Sequence, residues 1–156
     1  MAICPIIIDL KTPDETAALA RAIARVLAPG DVILLQGGIG AGKTHFARAL
    51  VQSLLHEPED VPSPTFTLVQ VYDGQTAEIW HSDLYRLSSP DEAVELGLED
   101  AFEGAICLVE WPDRLAELTP ANALTLTFDV TGEETRRVAL TWSNDKWDDK
   151  LEGIAA

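Results

Sequence analysis

Gly37 to Thr44 reads GGIGAGKT and fits the spacing G-x-x-x-x-G-K-[ST]. Glycines at this spacing let backbone N–H groups converge on phosphate oxygens without side-chain clashes. Gly38, Ile39, Gly40, Ala41 and Gly42 would form the cradle for a nucleoside triphosphate. Lys43 would bring a cation to the outer phosphates, and the Thr44 hydroxyl would ligate magnesium. His45 follows in the first helical turn, where the dipole's positive end adds about 0.3–2 kcal/mol toward a nearby anion.

Such a loop needs an acidic residue at the end of a neighbouring strand to hold the metal. Two candidates compete, Glu110 at the close of AICLVE and Asp83 after EIWHS, and either also reads as a plain solvated strand-end acid. The loop VPSPTF (Val61–Phe66) lies where nucleotide switches carry a γ-phosphate-sensing threonine, so Thr65 or Ser63 is a candidate there. A rigid proline turn is the more common use of such a stretch. His81 has a catalytic reading beside a packing one. His45 and His56 read as surface or packing positions, and Trp111 as core or as a stacking platform. Arg86, close after Asp83 and Tyr85, reads as a phosphate or partner contact or as a surface ion pair.

The elements that must position these residues follow from local pattern. Thr12-Pro13-Asp14-Glu15 is a capping box with proline at the first helical position. Leu19, Ile23 and Val26 then make a helical stripe that Pro29-Gly30 stops. Asp31–Gln36 is a continuous apolar run, the mark of a strand buried on both faces. A second helix runs from Lys43 to Leu55 with Phe46, Ala47, Leu50 and Leu54 on its buried stripe. Phe66–Tyr72 and Ala77–His81 make a hairpin across Asp73-Gly74. Ser89-Pro90-Asp91-Glu92 is a second capping box whose helix stops at Gly97. Ala105–Glu110 is another buried strand, and Leu124–Val130 with Arg136–Trp142 a second hairpin. The tail from Ser143 is polar and reads as frayed. The fold class is therefore α/β: one domain with a mixed, mainly parallel central sheet flanked by helices and two β-hairpins.

The chain has 156 residues, 47% hydrophobic and 24% charged, as expected of one globular domain. No apolar run approaches the about 20 residues of a membrane span. MAICPIIIDL lacks a basic start and is broken by Asp9, so it reads as a sheet strand rather than a signal peptide. Cys4 and Cys107 form no C-x-x-C pair and read as reduced thiols of a cytoplasmic protein. The net charge of −15, from 26 acidic and 11 basic residues, opposes direct binding to nucleic-acid backbones and allows docking on a basic protein.

A guanine-specific switch needs N/T-K-x-D late in the chain. Asn144-Asp145-Lys146-Trp147-Asp148 is one residue out of register, which argues against it. A small-molecule kinase needs a lid and several arginines, and the chain has seven arginines with no basic lid segment. A kinase stays as the alternative, a binding module with an idle loop stands third, and an ATPase coupled to another protein's chemistry is preferred.

Taken in order, GGIGAGKTHF, SPTFTLV (Ser63–Val69), HSDLYRL (His81–Leu87), ELGLED (Glu95–Asp100) and ICLVEWP (Ile106–Pro112) resemble the bacterial TsaE (YjeE) ATPase family of tRNA threonylcarbamoyladenosine formation. The resemblance spans about Pro13 to Trp142. It implies a P-loop ATPase that takes ATP and magnesium, hydrolyses slowly alone, and acts with TsaD and TsaB, so that tRNA is met only indirectly. It further implies Thr44 and Glu110 as magnesium ligands, Asp83 near the metal or its water, and Thr65 as the switch-like threonine. Lys43, Asp83, Glu110 and Thr65 would then be the catalytic set. Trp111 would sit on the nucleotide or partner face, and the Pro13-Asp14-Glu15 helix start near the adenine, with Glu15 a nucleotide contact. Two positions depart from the family pattern: Gly38 where an acidic residue is usual, and His45 where threonine or similar is usual.

Overall fold

A computed structural model describes residues 4–38, 40–55, 57, 59–61 and 68–154. Ile39, His56, Ser63, Thr65 and Phe66 lie outside the described residues. Among the described residues no helix is long and apolar enough to cross a membrane.

Seven strands form one sheet. They are β1 (Ile6–Leu10), β2 (Val32–Gln36), β3 (Val69–Asp73), β4 (Glu78–Asp83), β5 (Ile106–Glu110), β6 (Leu124–Val130) and β7 (Arg136–Trp142). Their order is β1-β7-β6-β2-β5-β4-β3. The middle four, β6, β2, β5 and β4, run parallel, while β3, β7 and β1 join antiparallel at the edges. This is the mixed, mostly parallel α/β sheet that the apolar runs predict.

The pattern of β2 explains its central place. Ile33 and Leu35 enter a core shared with Leu19, Ile23, Phe46 and Leu50, from helices α1 (Pro13–Ala24) and α2 (Lys43–Leu54). Val32 and Leu34 enter the opposite core with Leu98 and Ala101 of helix α4 (Leu98–Gly104). Alternate residues thus serve two layers, and no polar face is left over. β5 is buried along its whole length in the same way.

Helix α1 starts at Pro13 as expected, with the Thr12 half of the capping box in place and the Glu15 half shifted to the residue before the cap. The Thr12 hydroxyl accepts from the Glu15 N–H at 3.2 Å, and Glu15 Oε1 takes the Lys11 N–H at 3.3 Å. It ends at Ala24, so Val26 lies beyond it. In α2 it is Val51, rather than Leu54, that completes the fully buried stripe.

The helix opened at Pro90 stops at Gly97, as expected, although a further helix follows directly, and two other readings are corrected. Helix α3 (Pro90–Glu95) ends before it, and Gly97, at φ 85°, is the N-cap of α4. Left-handed backbone suits glycine at either kind of boundary, so its type alone does not tell a stop from a start. Ser89 makes no side-chain cap; the neighbouring Ser88 hydroxyl donates to Glu92 instead. The tail is not frayed. Helix α5 (Lys146–Lys150) buries Trp147 completely, and the Trp147 indole N–H donates to the Asn122 carbonyl at 2.8 Å. Lys146 and Lys150 pair with buried Asp31 at 2.8 and 2.6 Å. The out-of-register N-D-K-W-D stretch is therefore a structural latch.

Candidate functional site

The carboxyl ends of β2, β4 and β5 open into a cavity of about 590 Å³. Parallel sheets bind ligands at this edge, where the strands end and helices begin. Its walls include Lys43, Thr44, Asp83, Glu110, Trp111 and Arg136.

The glycine loop is built by backbone geometry. Gly37 has φ 141°, and a Cβ there would lie 2.7 Å from the Phe128 carbonyl, so any side chain would force β6 away. Gly42 holds φ 106° as the N-cap of α2, and turns the chain so that Lys43 and Thr44 open the helix inside the cavity. Gly38 is different. A Cβ there would meet nothing within 4 Å, so its departure from the family pattern leaves open space rather than relieving a clash.

Lys43 is buried, and its ammonium donates to the Gly37 carbonyl at 2.7 Å while lying 3.5 Å from the centre of the Trp111 ring. Burial lowers the pKa of Lys43, against the opposing pull of Glu110, Asp83 and Asp113. The Thr44 hydroxyl donates to Glu110 Oε1 at 2.9 Å. The other oxygen, Oε2, lies 2.7 Å from Nε2 of buried His81. Strand register accounts for the meeting. Asp83 and Glu110 are cross-strand partners on β4 and β5, and His81 lies two residues before Asp83, on the same face. Asp83 also turns the chain, accepting the Tyr85 N–H at 3.0 Å.

Trp111 follows Glu110 with a left-handed backbone, φ 58°, which a non-glycine residue seldom adopts. That turn sets its ring over Lys43 and against Tyr85, at 5.0 Å between ring centres. Such strain gathers at functional sites. His45 is exposed and its Nε2–H donates to the Pro13 carbonyl at 3.0 Å, tying the two helix starts together. From α1, Pro13 and Thr16 line the cavity, while Glu15 is engaged in its own cap.

The structure therefore brings together Gly40, Gly42, Lys43, Thr44, His45, Asp83, Glu110 and Trp111 around one cavity. Gly38 and Ala41 belong to the loop backbone, with the Ala41 N–H donating to the Gly38 carbonyl at 3.2 Å. Ile39 and Thr65 lie outside the described residues.

Arg136 was not legible as a site residue. It starts β7, donates to the Gly132 and Thr135 carbonyls, and reaches the Gly40 carbonyl at 3.2 Å. It joins the far hairpin to the glycine loop across a separation of 96 residues, which no local pattern records.

Among the described residues no three His, Cys, Asp or Glu side chains converge as a metal-binding group. One buried carboxylate bonded to a threonine hydroxyl suits magnesium brought with phosphates, because that ion keeps much of its shell from water and phosphate oxygens.

Residues 10–138 match the family described as threonylcarbamoyl adenosine biosynthesis protein TsaE. A tRNA threonylcarbamoyladenosine biosynthesis protein TsaE of Rickettsia conorii is 43% identical over 127 residues, 81% of this chain and 73% of its own. The protein of that name from Bacillus subtilis is 35% identical over 137 residues, 87% of this chain and 85% of its own. The crystal structure of Bacillus subtilis YdiB superposes with a TM-score of 0.82 at 28% identity, covering 99% of this chain and 97% of that one.

Proposed function

The chain belongs to the TsaE family of threonylcarbamoyladenosine biosynthesis, and from that premise we propose a cytoplasmic, magnesium-dependent ATPase that supports this tRNA modification by acting on the TsaD–TsaB pair. The observation that carries the reading is the Thr44–Glu110 hydrogen bond beneath Lys43 at the mouth of a glycine loop.

In this reading the backbone N–H groups of the loop receive the β- and γ-phosphates. Lys43 leaves the Gly37 carbonyl and the Trp111 ring for the γ-phosphate, where a buried ammonium has its largest effect. Thr44 and Glu110 would hold magnesium, with the Thr44 hydroxyl donating to Glu110 Oε1 as it does here. Magnesium at that place would supply positive charge to offset the charge of the phosphates. Asp83 sits beside Glu110 and orients the attacking water, and Thr65 is assigned the γ-phosphate-sensing role. Arg136 anchors the loop through the Gly40 carbonyl and adds positive charge to the cavity wall.

The kinase alternative loses support, because Arg136 is the one arginine among the described cavity-lining residues and phosphoryl transfer to a small acceptor calls for several. The acidic net charge fits a protein that leaves tRNA to its partners.

The test is phosphate release from ATP and magnesium by the purified protein, with and without TsaD and TsaB. Stimulation by the pair, lost in Lys43→Ala, is the expected result. Rapid hydrolysis indifferent to the pair, or labelled phosphate appearing on a small acceptor, would overturn the reading.

A further inference from the structure

Glu110 has two carboxylate oxygens, and the fold supplies a separate donor to each. Thr44 serves Oε1, and His81 serves Oε2 at 2.7 Å. The two side chains of the second pair are 0% and 2% exposed. A carboxylate only accepts, so the hydrogen is on His81 Nε2. Nδ1, the other ring nitrogen, has no hydrogen-bond partner among the described residues. Leaving such an atom buried costs about 1–3 kcal/mol. A residue needed only for packing would avoid that cost with an apolar side chain at this position. The ring is turned edge-on to a single acceptor, and that acceptor is the strand-end carboxylate of the site.

We propose that His81 is a positioning residue for magnesium. Its Nε2–H fixes Glu110 Oε2 and so keeps Oε1 aimed at the Thr44 hydroxyl, setting how firmly the site takes the cation together with a nucleotide. The inference rests on the reading of Thr44 and Glu110 as the magnesium pair. It is the arrangement by which a second donor orients a metal-site carboxylate, and losing such a donor lowers metal affinity by about 10–100-fold.

The experiment measures ADP binding by calorimetry, in magnesium chloride and in EDTA, for the native protein, His81→Leu and His81→Gln. His81→Leu removes the donor at similar volume, whereas the glutamine amide reaches the Nε2 position. The expected result is a magnesium midpoint raised about tenfold or more in His81→Leu, unchanged affinity in EDTA, and recovery toward native in His81→Gln. An unchanged midpoint in His81→Leu, an equal loss with and without magnesium, or a glutamine no better than leucine would each overturn the proposal. If His81→Leu fails to fold, His81→Gln is compared with His81→Asn, whose amide stops at the Nδ1 position; equal midpoints overturn it. A native protein whose ADP binding ignores magnesium would sink the reading of Thr44 and Glu110 as the magnesium pair, and this proposal with it. A native response that survives the loss of the donor would sink the role of His81 alone.

Discussion

Strand β2 has a buried lysine–carboxylate group at each end, and the two are resolved in opposite ways. Before the strand, Asp31 is held by Lys146 and Lys150 at 2.8 and 2.6 Å. Burial alone would raise its pKa, but hydrogen bonds from both lysines and the Ala28 N–H outweigh it and hold the carboxyl below its ordinary 3.8. After the strand, Lys43 is engaged by a carbonyl and a ring, and there burial outweighs the nearby carboxylates and lowers the ammonium. One end is an ion triad closed on itself. The other keeps a cation where an incoming anion would compensate its desolvation. Similar groups beyond the two ends of a strand about 17 Å long thus do different work, because one meets its partners directly and the other does not.

Substitutions at the two ends should separate stability from activity. The largest effect is expected from Lys43→Ala, which should lower ATP hydrolysis by at least about 10²-fold while urea unfolding stays near native. Loss of both together would break the contrast. Asp31→Asn should do the reverse, costing about 1–3 kcal/mol in urea unfolding with ADP affinity preserved. Its pH dependence has a fixed sign. A carboxyl depressed in the folded state contributes fully above its unfolded value of 3.8, and that contribution is lost as pH falls through the lower folded value. The gap in urea midpoint between native and Asp31→Asn should therefore narrow in acid and stay wide at neutral pH.

Thiol labelling gives an effect of one group. Burial pushes the Cys107 thiol up to about 12, while Cys4 is exposed. A maleimide should modify Cys4 alone in the folded protein and both cysteines in urea. Early labelling of Cys107 would show β5 opening beneath the site. The smallest effect is expected from Gly38→Glu, which should move the melting free energy by no more than about 0.5 kcal/mol, since a side chain there meets open space.

What the chain discloses locally, it discloses well. The bounds of β6 and β7, the α1 cap and the double-sided burial of β2 all follow from residues within one element. The glycine loop is legible for the same reason, and so is Glu110 as the acid closing an apolar strand. The misreadings share a physical cause, in that the deciding partner is distant. Lys146 and Lys150 look like a solvated tail until Asp31 is found 115 and 119 residues away. Arg136 looks like the ordinary start of a strand until it meets Gly40. His81 has two local readings, and only the register of β4 on β5 chooses between them.

The central position of β2 also matters while the chain is being made. Val32–Gln36 leaves the ribosome early, yet its two neighbours begin at Cys107 and Leu124 in its register. At about 5–20 residues per second, this strand waits several seconds with no sheet partner on either side. Such an apolar, uncharged segment is a natural client for chaperones during that delay. Changes that make VILLQ stickier would then reduce the yield of soluble protein, while the molecules that do fold would remain fully competent.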